Sequence, residues 1–139
     1  MNAMKKILLT AALLLATLPL LRGQDTPTLN KKNLVIKEWN TDAKSNQRVL
    51  DHLTTYNQDG KKIEEIEYGS DGRQKWRERY EYGTDGKVSR ELLYDERNRL
   101  VAVKKFQYNE FGRKKTQYNY DAKGKLQTIK VYEYITQDA

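Results

Sequence analysis

The stretch YNQDGKKIEEIEYGSDGR (Tyr56–Arg73) states one pattern twice. Tyr56 is followed four residues later by Gly60 and a basic Lys61, and Tyr68 is followed four residues later by Gly72 and Arg73. Moving outward, the unit recurs at Tyr82/Gly86/Lys87, Tyr94/Asn98/Arg99, Tyr108/Gly112/Arg113 and Tyr120/Gly124/Lys125. The Gly or Asn positions lie 12, 14, 12, 14 and 12 residues apart. Asparagine at 98 is the substitution expected where the backbone needs a positive φ, because it tolerates the left-handed region better than other side chains. Fourteen residues before Gly60 stands Asn46, in NTDAKSNQR, which reads as a degenerate first turn, and fourteen after Gly124 stands Asp138, where a further turn is due. A fixed period of this length marks a repeat architecture.

The chemistry of the unit is that of a hairpin. Asn57 starts a type I turn, Gln58 and Asp59 form its body, and Gly60 takes the left-handed position of a bulged loop. Segments of 8 to 10 residues rich in Tyr, Val, Ile and Leu separate the turns and read as strands. The prediction is all-β: an antiparallel meander of about seven or eight strands in a thin, twisted, largely single-layer sheet. Residues 24–46, with Leu34, Val35, Ile36 and Trp39, form an N-terminal segment that adds an edge strand or lies across one face; residues 47–139 are the repeat domain.

Extending the turn register along the strands predicts which residues face each other. With Asn57 opposite Lys61, directly facing pairs include Glu67/Lys75, Glu65/Arg77, Arg79/Glu91, Asp95/Arg99 and Arg113/Glu133, with Asp51 opposite Glu67 as the one mismatch. In this register even and odd positions keep to separate faces. All ten tyrosines are even-numbered, as are Trp76 and Phe106, so one face is predicted to be aromatic and the other to carry the charge ladder. Arg90 and Lys104 fall mid-strand on the aromatic face, opposite Tyr80 and Tyr118. Because a buried unpaired charge is costly, that face is expected to reach water. Its centre, Trp76, Tyr80, Arg90, Tyr94, Lys104, Phe106 and Tyr118, is the candidate binding face, beside the plainer reading that tyrosine ladders at fixed spacing hold a single-layer sheet together; Gly60, Gly72, Gly86, Asn98, Gly112 and Gly124 are the structural turn residues.

The N-terminus has a different character. Lys5 and Lys6 precede the apolar run ILLTAALLLATLPLL (Ile7–Leu21), followed by Arg22-Gly23-Gln24. This is the layout of a secretory signal peptide over residues 1–23, and the run is shorter than the ~20 residues of a membrane-spanning helix. The chain contains no cysteine, which excludes disulfides and a lipid-modified N-terminal cysteine. The expected location is periplasmic or secreted. The formal charge of +7 falls to +4 without Lys5, Lys6 and Arg22, leaving 23 basic against 19 acidic residues. That mild, interspersed excess reads first as a solubilising surface and, for a partner, suits an anionic envelope component more than nucleic acid.

Tyr-[Asn/Asp/Gly]-x-x-Gly-[Lys/Arg], often followed by an aliphatic residue as in YGTDGKV and YDERNRL, resembles the YD repeat of Rhs-type proteins, from Tyr56 to about Tyr134. Small exported bacterial proteins carry similar runs. The resemblance implies a β-hairpin repeat architecture without catalysis; with about six copies there is no room for the payload that large Rhs-type shells enclose.

A search for chemistry finds little. His52 is the single histidine, with neither a cysteine partner nor a second histidine for a metal. Glu64 facing Glu78 resembles a glycosidase couple, but nothing in the sequence builds the cleft that chemistry requires. Asp59, Asp71 and Asp85 fall one per turn and lack the ligand density of a calcium loop. No catalytic residue, metal or cofactor is predicted. The expectation is an exported, non-enzymatic binding or structural module of the cell envelope. Its routes are strand addition at a free terminal edge, around residues 125–135 or at the N-terminal strand, or glycan stacking on the tyrosine-rich face. A protein or glycan of the envelope is the expected partner class, and a homo-oligomer is left open.

Overall fold

A computed structural model describes residues 28–137. The signal-like segment 1–23 and the turn expected at Asp138 lie outside them. Eight strands follow one another: β1 (Val35–Thr41), β2 (Arg48–Tyr56), β3 (Lys62–Tyr68), β4 (Gln74–Tyr82), β5 (Val88–Tyr94), β6 (Leu100–Tyr108), β7 (Lys114–Asp121) and β8 (Leu126–Val131). They pair antiparallel in chain order into one open sheet, so the all-β single-layer meander is observed. The edge-strand alternative for the N-terminal segment is the one adopted: β1 pairs with β2.

The turns follow the chemistry of their residues. Gly60, Gly72, Gly86, Gly112 and Gly124 have φ between 72° and 80°, and Asn98 has φ 60°. Asn46 also has a positive φ, closing the β1–β2 turn. In the 57–61 turn the Asn57 amide donates to the Lys61 carbonyl and the Gly60 amide to the Asn57 carbonyl. Asn57 Oδ1 accepts from the amides of Asp59 and Lys61, an Asx turn that satisfies two backbone donors. Where glycine opens the turn, at Gly69 and Gly83, the aspartate two residues on takes over one of these bonds: Asp71 and Asp85 accept from the amides of Arg73 and Lys87.

One further turn precedes β1. Asn33 has φ 52°, and Asn30 Oδ1 accepts from the Lys32 amide. The Asn33 amide donates to the Asn57 carbonyl, docking this turn on the next one along the sheet.

The register departs from the sequence expectation, for a structural reason. It holds at the pair nearest each turn, such as Tyr56 opposite Lys62, and then slips by one: Thr55 faces Glu64 and Thr54 faces Glu65. Ile63 is the extra residue of a β-bulge. The same slip occurs once in every later hairpin, with Lys75, Ser89, Val101, Lys115 and Gln127 as the extra residues. Each bulge inverts the parity of the strand that carries it, so even positions alternate between faces from strand to strand.

The single aromatic face is therefore corrected to two mixed faces. One, the Trp76 face, carries Tyr56, Tyr80, Tyr82 and Tyr108; the other, the Tyr94 face, carries Tyr68, Tyr94, Tyr118 and Tyr120. The charge pairs change accordingly. Arg77 reaches Glu64 at 2.8 Å rather than Glu65, Arg79 faces Leu92 rather than Glu91, and Glu67 faces His52 rather than Asp51. Asp95–Arg99 forms at 2.7 Å and Glu67–Lys75 at 3.4 Å, the latter diagonally across the bulge.

The sheet has almost no interior. Among the described residues only Phe106, Thr54 and Thr116 are buried. Its layers of contact run sideways instead. The hydroxyls of Tyr82, Tyr108 and Tyr134 donate to the carbonyls of Lys62, Val88 and Lys114 at 2.6, 2.7 and 2.7 Å. Each accepting carbonyl belongs to the residue just before a bulge, where the ladder is locally disrupted. Over the same three rings lie Lys61, Lys87 and Arg113, each from the second turn before its tyrosine, on the same turn edge of the sheet. Each tyrosine thus ties one hairpin to the next, and the full structural period is two hairpin turns.

Candidate functional site

The seven residues predicted to share one face are divided by the bulges. Trp76, Tyr80, Lys104 and Phe106 are on the Trp76 face; Arg90, Tyr94 and Tyr118 are on the Tyr94 face. A single stacking surface containing all seven is therefore excluded, and each group has its own chemistry.

On the Trp76 face the centre is acidic and self-satisfied. Glu65 of β3 faces Glu78 of β4, so the acidic pair on this face is Glu65/Glu78 rather than Glu64/Glu78; Glu64 faces Arg79 on the other side. The Tyr80 hydroxyl lies 2.5 Å from Glu65 and 3.1 Å from Glu78. Lys62 pairs with Glu65 at 2.9 Å, His52 stands 3.7 Å from it, and Lys104 reaches Glu91 at 3.4 Å and Glu78 at 4.0 Å. Trp76 donates its indole N–H to Glu67 at 2.7 Å and meets His52 edge-on.

The two carboxyls titrate in opposite directions. Burial works to raise Glu65, but hydrogen bonds from Tyr80 and Lys62 outweigh it and the group is lowered. Glu78 is raised, chiefly by burial, with the neighbouring Glu91 adding to it. Burial, reinforced by Glu65 and Glu78, pushes the Tyr80 phenol far above its usual value. A hydroxyl has one proton to donate; given to Glu65, it leaves the Tyr80 oxygen to accept from Glu78 when that carboxyl is protonated. With Lys104 bridging Glu78 and Glu91, these groups tie β3, β4, β5 and β6 together across the face.

On the Tyr94 face the charges are less evenly matched. Arg90 of β5 faces Lys105 of β6 directly, an unfavourable like-charge pair. Arg90 is balanced by Glu81 at 2.6 Å. Lys105 has no carboxylate within ion-pair distance among the described residues; its ammonium lies over the Tyr120 ring, 5.0 Å from the centroid. Tyr118 faces Lys105 from β7. Arg90, Lys105, Tyr118 and Tyr120 border an open hollow of about 560 Å³. Tyr94 is not part of it: Arg77 covers its ring at 4.8 Å and is itself held by Asn98 and Glu64. A larger hollow, about 1200 Å³, lies at the opposite turn edge among Thr41, Asp51, Tyr68 and Arg73, and none of the seven candidate-face residues lines it.

Lys105 was missed because parity assigned it to the charge ladder. The signal available was chemical: Lys104-Lys105 puts one cation on each face whatever the register. Among the described residues no group of three or more histidine, aspartate or glutamate side chains is placed to hold a metal ion, and no helix is long and apolar enough to cross a membrane. Neither a protein-family model nor a curated protein matches this chain.

Proposed function

We propose that this chain is an exported, non-enzymatic β-repeat protein of the YD-repeat type that serves as a binding or structural module in the cell envelope. The carrying observation is that the sheet is nearly all surface: with three buried side chains among the described residues, both faces and both edges are available to partners. The turn chemistry supports the repeat kinship, since every Gly or Asn of the motif carries a positive φ. The signal-like N-terminus supports export. Two routes of binding follow from the geometry. The exposed strand β8 can add to a partner's sheet, and the partner class is then a protein. Cross-linked capture from the envelope with the purified protein, read for protein and polysaccharide, tests the proposal; recovery of neither, under conditions that retain a control envelope protein, overturns it.

A second reading rests on the hollow at Lys105. A cation facing another cation and flanked by Tyr118 and Tyr120 suits an acidic sugar residue, whose ring stacks on tyrosine and whose carboxylate or phosphate relieves the like-charge contact. Lys105→Ala then abolishes retention on an acidic-polysaccharide column and leaves the fold intact. Unchanged retention refutes this route.

A further inference from the structure

The two edges of the sheet differ in a way that selects an occupant. Every residue of β8 is exposed, and its exposure is apolar: Leu126 is 41 %, Ile129 54 % and Val131 67 % exposed, with Ile135 at 81 % just beyond. The Tyr132 amide donates inward to the Lys115 carbonyl. By antiparallel alternation Lys130 and Thr128 also bond inward, to Gln117 and Asn119, whereas the N–H and C=O groups of Ile129 and Val131 point outward, away from β7. Such a row is a template for one more strand.

The sequence of this edge complements itself. An antiparallel copy of β8 related by a two-fold axis normal to the sheet keeps each side chain on its own face, and only residues of like face can then oppose. With Ile129 opposite Ile129, Val131 meets Gln127 and Lys130 meets Thr128, so no like charges oppose within the strand. A slip of two residues one way sets Lys130 against Lys130. The opposite slip sets Val131 against Lys125, which closes the 121–125 turn beyond the Gln127 bulge and lies on the other face. Lys130, mid-strand and thus a natural guard, is turned along the strand toward the Tyr132 ring, 5.5 Å from its centroid. At the other edge, pairing β1 with its own copy about its middle sets Lys37 against Lys37 or Glu38 against Glu38. Pairing β8 with β1 of another copy would be head-to-tail, a heterologous contact that yields a ring or an open fibre rather than a two-fold dimer.

We infer that the partner at the β8 edge is a second copy of this chain, joined β8 to β8 in a closed, two-fold dimer with Ile129 on the axis. The inference rests on the strand-addition route proposed above. The pairing contributes on the order of six backbone hydrogen bonds and unites Ile129 and Val131 of both copies into one apolar stripe, continuous with Tyr118 and Leu126 of each.

Light scattering across a concentration series tests it, because an edge pairing this short dissociates on dilution. The purified protein is expected to show twice the monomer mass at the high end. Val131→Pro removes an outward N–H that β7 does not use and is expected to give a monomer with unchanged circular dichroism. The natural absence of cysteine makes the register readable: Ile129→Cys is expected to cross-link as a dimer on oxidation, and Trp39→Cys on β1 is not. Facing residues of an antiparallel pair have Cα atoms ~5.5 Å apart, within disulfide reach. A monomer at every concentration, a dimer untouched by Val131→Pro, cross-linking at position 39 instead of 129, or open-ended fibres would each overturn the inference. If the chain is monomeric but a heterologous envelope protein is captured and lost with Val131→Pro, the self-pairing fails and strand addition stands; if that capture survives the substitution, strand addition fails with it.

Discussion

Removing one hydroxyl at three equivalent places measures how the hairpins are joined. Tyr82, Tyr108 and Tyr134 make the same bond, to Lys62, Val88 and Lys114, but from different surroundings. Tyr82 and Tyr108 are half-buried within the sheet, and burial raises both phenols above their usual value. Tyr134 stands beyond the last strand and is 48 % exposed. A hydrogen bond between neutral groups contributes about 0.5–1.5 kcal/mol net, and the larger figure applies where the abandoned carbonyl is shielded from water. Tyr82→Phe and Tyr108→Phe are therefore expected to cost ~1–1.5 kcal/mol each, and Tyr134→Phe ~0.5 kcal/mol or less, because water replaces the lost donor there. In a domain of this size 1 kcal/mol lowers the melting temperature by roughly 4–8 °C. Urea unfolding followed by the fluorescence of Trp39 and Trp76 gives the three values, with an unchanged m-value confirming that the folded state is intact. Lys61→Met in the Tyr82→Phe background separates the ring–cation contact from the hydroxyl. Equal losses at all three positions, or central losses indistinguishable from zero, would refute the stapling role.

The left-handed turns carry a second expectation: Gly86→Val costs more than Gly86→Asn, by ~1–2 kcal/mol, since φ is +78° and a side chain there also meets the Lys61 ammonium; equal losses in urea melts contradict it. Gly72, with φ +77° and open space where a Cβ would stand, isolates the backbone component, so Gly72→Ala reports that strain alone. For the register, exchanging Arg77 and Glu64 is expected to recover about 0.5–1 kcal/mol relative to the summed single changes, whereas exchanging Arg79 and Glu91 recovers nothing; the opposite result restores the bulge-free register. The acidic pair sets the pH response with two signs. Glu65, lowered in the folded state, contributes stability above the ordinary glutamate range that is lost as the pH falls through its folded pKa. Glu78, raised in the folded state, contributes stability at low pH that is lost as the pH rises through its folded pKa. Glu78→Gln should therefore flatten the decline above the ordinary glutamate range, and a steeper decline in thermal melts from pH 3 to 8 would contradict the assignment.

The turns were legible because a single physical demand, a positive φ, admits only a few residue types, and Gly or Asn meets it at every copy. Strand number and order followed from the spacing of those turns. The bulges were not legible because an extra residue one step past the turn requires no particular side chain: Ile63, Lys75, Ser89, Val101, Lys115 and Gln127 share no chemistry. Their trace was an inconsistency. A register that puts Arg90, Lys104, Glu64 and Glu78 among ten tyrosines is electrostatically poor, and the bulges remove the conflict by giving Arg90 to Glu81 and Lys104 to Glu91. The Asn30–Asn33 turn was equally available, since its Asn-x-x-Asn spacing matches Asp95-x-x-Asn98, but it lacks the preceding tyrosine. The candidate face failed as a unit for the same reason as the register, while Arg90 and Tyr118 retained a shared setting through Lys105.

Strand backbones lie beside only their neighbours in the chain; contacts two strands away are made by side chains alone, as Lys104 with Glu78 and Trp76 with His52. The molecule thus behaves as a one-dimensional array, in which stability is a sum over units and their junctions. Local contacts of this kind favour rapid folding that starts at any hairpin and spreads in both directions. The array also has no fixed length. Inserting or deleting a two-hairpin unit, the 26 residues from Tyr82 to Gln107, restores both the tyrosine staples and the face parity at the new junction, so the chain can lengthen or shorten by whole units without redesigning any other part of it.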